Sequence, residues 1–111
     1  MTSIAAAVSE RDIMSYDAMK QGYLNTISRN IYPLITTYIQ DCIGNDINEN
    51  FYRNFKKFLV DTTNNILQLD DKKAKTMADV IYDPTLRNLS CLITFRDIVN
   101  RIYEFRFVVK L

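Results

Sequence analysis

The sequence predicts an all-α protein: a compact bundle of about five helices in a single helical domain over residues 9–111. Apolar residues make up 48% of the 111 residues and charged residues 24%, which is typical of a globular chain. The chain holds only two Gly and two Pro, and an all-β fold needs many tight turns. Several stretches repeat apolar residues every three to four positions, the period of an amphipathic helix.

The first helix is predicted over residues 9–29. Ser9 begins it, and Asp12 three residues later completes an approximate capping box. Apolar residues then recur on one face as far as Ile27. Residues 1–8 precede any such pattern, so we expect a flexible N-terminus there.

The second helix is predicted over residues 31–43. Asn30 can cap it, and Pro33 fits only in its first turn because proline has no amide hydrogen to donate. Gly44 follows the last apolar residue and is the usual residue type for a left-handed C-cap.

The third and fourth helices are predicted over residues 46–69 and 71–81. Asp46 and Glu49 form a capping pair for the third helix, and its buried face carries four aromatic residues within eight positions. The fourth helix opens at Asp70-Asp71, where carboxylates favour the positive end of the helix dipole.

The fifth helix, over residues 84–105, is predicted to be the central one. Asp83-Pro84 is a helix-start signal, since Asp caps free amides and Pro is favoured at the first helical position. Its apolar arc spans roughly 200°, about twice the minimum for a surface helix. A helix with such a wide apolar arc needs cover on several sides.

The final residues carry a second pattern. From Tyr103, aromatic and aliphatic residues alternate with Glu104, Arg106 and Lys110, which is the period of a strand. One interpretation continues the helix to the C-terminus. The alternative is an extended tail over 105–111 that would add to the sheet of a partner chain.

Apolar surface beyond what five helices can bury predicts a protein interface. We therefore expect a non-enzymatic interaction or structural subunit of a homo- or hetero-oligomer, contacting its partner through the C-terminal helix and tail, with a second contact from the third helix. The predicted interface residues are Phe51, Tyr52, Phe55, Phe95, Ile102, Phe105, Phe107, Val109 and Leu111.

Two alternatives remain open. A nucleic-acid-binding module would use a basic surface shared by the third and fourth helices, formed by Arg53, Lys56, Lys57, Lys72, Lys73 and Lys75. A Bcl-2-like module would hold a partner helix in a groove between its own helices. The net charge of +1 draws the chain to neither nucleic acid nor an anionic membrane.

The residue content disfavours catalysis and cofactor binding. The chain has no His, the commonest general base and transition-metal ligand. Cys42 and Cys91 are widely separated and have no adjacent base, so two buried free thiols are expected, with one disulfide as the alternative. Two Gly cannot supply a phosphate-binding loop. We expect no enzyme, metal, cofactor or small-molecule substrate.

Sequence features also bear on location. There is no apolar run long enough to span a membrane, and the apolar start lacks a basic lead, so an intracellular location is expected. Many Ile and Asn residues without Trp or His suggest an AT-rich genome such as that of a large DNA virus. A virion component is therefore one expected setting.

Overall fold

The computed structural model describes residues 3–7, 14–42, 47–97 and 100–111, with the backbone alone at 3–7, 14–17 and 71. The predicted all-α helical bundle is wrong, because the described chain is a mixed α/β fold. Its helical elements are α1 (Met14–Thr26), a π-helical segment (Ile27–Ile31), α2 (Tyr32–Asp41), α3 (Glu49–Ile66) and α4 (Asp71–Ala74). Its strands are β1 (Ser3–Ala7), β2 (Met77–Asp83), β3 (Asn88–Arg96) and β4 (Ile102–Lys110).

α1 and α2 join through the π-helical segment into one helical stretch, where the sequence predicted two helices over 9–29 and 31–43. Pro33 follows this segment and has no amide hydrogen for the carbonyl of Arg29, so the regular α pattern is interrupted there. The predicted start at Ser9 and the predicted C-cap at Gly44 lie outside the described residues.

α3 occupies most of the predicted third helix, 46–69. Its N-cap is Asn48, whose side-chain oxygen accepts a hydrogen bond from the Phe51 amide at 3.0 Å. The predicted cap, Asp46, lies outside the described residues. Asn48 was missed because Asp46 and Glu49 also have the spacing of a capping pair.

The predicted fourth helix, 71–81, is wrong beyond Ala74. Asp70 caps α4 as expected, accepting from the Lys72 amide at 2.9 Å. Lys75 then takes the left-handed conformation with φ 47°, and β2 begins two residues later. The run from Val80 to Tyr82 is β-branched and aromatic, which favours a strand.

The predicted fifth helix, 84–105, is absent. Asp83 does use its carboxylate as a cap, but Oδ1 accepts from the amides of Thr85 at 2.9 Å and Leu86 at 3.1 Å to close the turn between β2 and β3. The same capping chemistry serves a helix start and a tight turn. The residues beyond this turn form β3 and β4 instead of a central helix.

The extended interpretation of the C-terminus agrees with the backbone, although β4 begins at Ile102 rather than at Phe105. Its partners are in the same chain: β4 pairs antiparallel with β3 on one side and β1 on the other. The four strands lie in the order β1-β4-β3-β2. The segment predicted to be flexible, 1–8, therefore includes an edge strand.

The core lies between the helices and one face of the sheet. Ile27, Ile31, Ile35 and Ile39 recur every four residues along the joined helices and are buried. They pack in one cluster with Phe51, Phe55 and Leu59 of α3 and with Val80, Leu89, Cys91, Ile93, Phe95, Tyr103, Phe105, Phe107 and Val109 of the sheet. The helices of the described ranges are too short or too polar to cross a bilayer.

Candidate functional site

Most of the predicted interface residues lie in the core. Phe51, Phe55, Phe95, Phe105, Phe107 and Val109 are buried, whereas Tyr52 and Leu111 are half-buried and Ile102 is 50% exposed. The rings contact each other: Phe51 and Phe55 stack with centroids 5.6 Å apart, and Phe95 and Phe105 stack at 5.8 Å. The apparent surplus of aromatic residues fills the space between helices and sheet, so the predicted docking through a C-terminal helix and tail does not fit this structure.

The predicted basic residues form two separate groups. Thr76, just after the lysines of α4, hydrogen-bonds to Asn64 near the end of α3. Lys57 is seven residues before Asn64, or about 10 Å along the helix axis at 1.5 Å per residue. Asp61 lies between the groups in sequence, and Lys56 pairs with Asp79 at 3.8 Å. Asp79 thus neutralises part of the expected basic surface.

The opposite face of the sheet carries apolar side chains that the helices do not bury. Met77 and Ile81 of β2 are 68% and 70% exposed, and Ile102 of β4 is also exposed. Leu92 of β3 and Val108 of β4 are half-buried. A water-facing side of an antiparallel sheet is normally polar. We define the open face as the outward residues Met77, Asp79, Ile81, Asp83, Asn88, Ser90, Leu92, Thr94, Arg96, Ile102, Glu104, Arg106, Val108 and Lys110.

The strand register places Ile81, Leu92 and Val108 close together, whereas Met77 and Ile102 lie one and two rows further along the sheet. Ile81 and Val108 both pair with Ser90, one from each side of β3. Leu92 is the next outward residue of β3 and pairs with Asp79 and Arg106. These residues line a shallow depression of about 450 Å³.

Other exposed large apolar residues are dispersed. Leu86 lies in the β2–β3 turn, Leu34 on α2 and Met19 on α1. Isolated apolar side chains are normal on protein surfaces, whereas contiguous ones mark interaction sites. The open face is therefore the candidate interaction surface among the described residues.

A buried polar cluster lies at the end of the β3–β4 hairpin. The Asp97 carboxylate accepts hydrogen bonds from the Tyr103 hydroxyl at 3.1 Å and the Arg101 amide at 2.9 Å. Burial, followed by the hydrogen bond to Asp97, raises the pKa of Tyr103 to about 12. The Tyr23 ring of α1 contacts the Tyr103 ring with centroids 5.0 Å apart. This cluster fixes the hairpin end against α1, which is a structural role.

Both cysteines are free thiols, and neither is activated. Burial raises the pKa of Cys91 to about 12, and burial also raises the pKa of Cys42, which is half-buried. A nucleophilic cysteine needs a lowered pKa, because the thiolate is the reactive form. In the described ranges, no three His, Cys, Asp or Glu side chains come close enough to hold a metal ion.

Comparison with known proteins finds no match to a protein-family model, a curated protein or a solved structure. The open face was also missed in the sequence, where residues 71–81 were predicted to be a fourth helix. A period of two in the run from Asn88 to Arg96 would have revealed it, but Leu92 interrupts the alternation of apolar and polar residues.

Proposed function

We propose that this chain is a non-enzymatic protein-interaction module that works as a structural subunit of an assembly and docks through its open face. One observation carries the proposal: the side of the sheet away from the helices exposes a contiguous apolar group where polar residues are expected. Ile81, Leu92 and Val108 line one depression on this side, and Ile81 is 70% exposed. Their burial on docking would release water from apolar surface, which is the main driving force of most protein association.

The charged residues around this apolar group support a protein partner. Asp79 lies on the β2 side and Arg106 on the β4 side of Leu92. Interfaces usually combine an apolar centre with a polar rim that selects the partner and sets its orientation. A flat face with both signs of charge suits a folded protein better than a polyanion.

The nucleic-acid and Bcl-2-like alternatives have less support. Nucleic-acid binding needs a continuous basic surface, and one of the predicted lysines, Lys56, pairs with Asp79 at 3.8 Å. A Bcl-2-like groove depends on an all-helical bundle, whereas the helices here cover a sheet. A virion component remains one setting in which a small structural subunit would act.

Site-specific photo-crosslinking in cells that produce the chain tests the proposal. A benzophenone amino acid replaces Leu92 in the open face or, as the matched control, Arg53 on the exposed side of α3. Position 92 is expected to give adducts of discrete mass, and position 53 is not. Equal adducts from both positions, or none from position 92, would reject docking through this face.

A further inference from the structure

We propose that the partner on the open face is a second copy of this chain, related by a two-fold axis parallel to β3. This inference rests on the proposed function, since it names the occupant of the same surface. In this arrangement β3 lies over β3 of the second copy, and β2 lies over β4. Each row of residues across β2, β3 and β4 then faces the same row reversed, and β1, which lies outside β4, extends beyond β2 of the other copy.

The row Asp79–Leu92–Arg106 is complementary to its own reverse. Leu92 pairs with Asp79 on one side and with Arg106 on the other, so the two ends of the row have opposite charge. The two-fold axis places Asp79 of each copy against Arg106 of the other, which makes two ion pairs. Both Leu92 side chains meet at the axis, inside the joined depressions.

The neighbouring row, Ile81–Ser90–Val108, is complementary in a different way. Its two ends are both apolar, so Ile81 of each copy meets Val108 of the other. The small Ser90 in the middle leaves room for these larger side chains. Burial of Ile81, now 70% exposed, would remove a large part of its apolar side chain from water, which favours association.

Of the next rows on either side, only the row of Asn88 is also complementary to its own reverse. Asp83 and Lys110 pair with the same residue, Asn88, and have opposite charge, so they too meet across the axis. In the row of Thr94 the ends are Met77 and Glu104, which are not complementary.

Charge also favours this axis over a two-fold axis perpendicular to the strands. A two-fold axis across the strands would place β2 over β2 and β4 over β4. Asp79 would then face β2 of the other copy, whose charged residues, Asp79 and Asp83, are both acidic. Burying charges against apolar side chains without a partner is costly.

The existing partners of these charges are weak enough to be exchanged. Lys56 and Asp79 are 3.8 Å apart with side chains 42% and 75% exposed, and Arg106 and Glu104 are 3.9 Å apart. Exposed ion pairs of this kind contribute little, because water screens them and two long side chains must be held in place. Docking therefore gives up little when Asp79 and Arg106 turn to the second copy.

Charge reversal with sedimentation equilibrium tests the proposal. The wild-type chain is expected to be a dimer at micromolar concentration. Asp79→Arg and Arg106→Glu are each expected to weaken it at least about tenfold, since each creates two like-charge contacts. A mixture of the two variants is expected to restore dimers, because each chain then offers the charge that the other needs. Arg53→Glu on α3 is the matched control and should leave the dimer unchanged.

Three results would overturn the second copy as partner: a monomeric wild type at millimolar concentration, single reversals that leave the dimer intact, or no recovery in the mixture. The photo-crosslinking experiment separates this failure from failure of the proposed function. An adduct of twice the chain mass at position 92 supports the second copy. A discrete adduct of another mass supports docking through the open face and overturns the second copy.

Discussion

Leu92 and Ile93 are neighbours in β3, yet they belong to two surfaces with different roles. Ile93 points to the helices and is fully buried, whereas Leu92 points to the open face and stays half-buried. The same alternation separates Phe105 and Phe107 from Arg106 in β4. One side of the sheet holds the fold together, and the other side is the surface that we propose docks a partner. Substitutions on the two sides should therefore change different quantities.

The largest effect is expected on the helix-covered side. Phe105→Ala removes a fully buried ring that stacks on Phe95, and such changes cost about 3–5 kcal/mol of unfolding free energy. Urea unfolding measures the loss, with Glu104→Ala as the exposed control. If Phe105→Ala does not fold, Ile93→Val gives a milder test with an expected cost of about 0.5–1.5 kcal/mol. If neither variant lost unfolding free energy, the helix-covered side would not be the side that stabilises the fold.

The buried side should also make stability sensitive to high pH. Burial, followed by the hydrogen bond to Asp97, raises the pKa of Tyr103 from 10.0 to about 12, and burial raises the pKa of Cys91 from 9.0 to about 12. A group with a raised folded-state pKa contributes stability below its unfolded pKa and loses it as pH rises through the folded value. Unfolding free energy should therefore fall between about pH 9 and 12.

Tyr103→Phe and Cys91→Ala sharpen this test. Tyr103→Phe loses a hydrogen bond worth on the order of 1 kcal/mol at neutral pH. Both variants should show a shallower decline between pH 9 and 12 than wild type, measured by urea unfolding at several pH values. An unchanged decline in both would show that these groups do not carry it.

Substitutions on the open face should change the association of two copies rather than the free energy of unfolding. Ile81→Ser changes a largely exposed side chain, so unfolding free energy measured at a concentration where the chain is monomeric should change by no more than about 0.5 kcal/mol. The dimer dissociation constant measured by sedimentation should rise about tenfold, because the variant buries less apolar surface between the two copies. A large stability loss with unchanged association would reverse the roles of the two sides.

The smallest effect is expected at the edge strand β2, where Lys56 of α3 reaches Asp79. Lys56→Gln removes the exposed ion pair with Asp79 and should cost less than about 1 kcal/mol. A double-mutant cycle with Asp79→Asn measures the coupling directly. A coupling of several kcal/mol would mean that Asp79 is held by α3 and is not available to a partner.

The sequence predicted helices where apolar periodicity and capping were unambiguous. The regions of α2 and α3 were assigned as helix, and Asp70 was identified as a cap. The join between α1 and α2 was not found, because Asn30 and Pro33 together resemble a new helix start. Local signals were therefore sufficient for these helices but not for how they connect.

The sheet was missed for a reason linked to its open face. A strand with one polar side shows clear alternation, but Leu92, Ile102 and Val108 add apolar residues to the outward positions. Together with the buried residues they resemble the broad apolar arc of a central helix. The property that makes the open face a candidate interaction surface also hid the strands.

The predicted interface failed on the same point. The sequence indicated correctly that the C-terminal third is rich in aromatic residues, but period alone did not show which of them face the helices. Ile102 is the one residue of that predicted set at least half exposed on the open face. Side-chain direction depends on strand register, which is set by pairing between distant parts of the chain.

Sedimentation of the Leu92→Glu variant beside wild type tests the central claim most directly. Leu92 lies at the middle of the open face and does not contribute to the buried cluster. The two-sided account predicts a folded variant with wild-type circular dichroism and a melting temperature close to that of the monomeric wild-type chain, in which dimers no longer form. A variant that unfolds, or one that remains as dimeric as wild type, would contradict it.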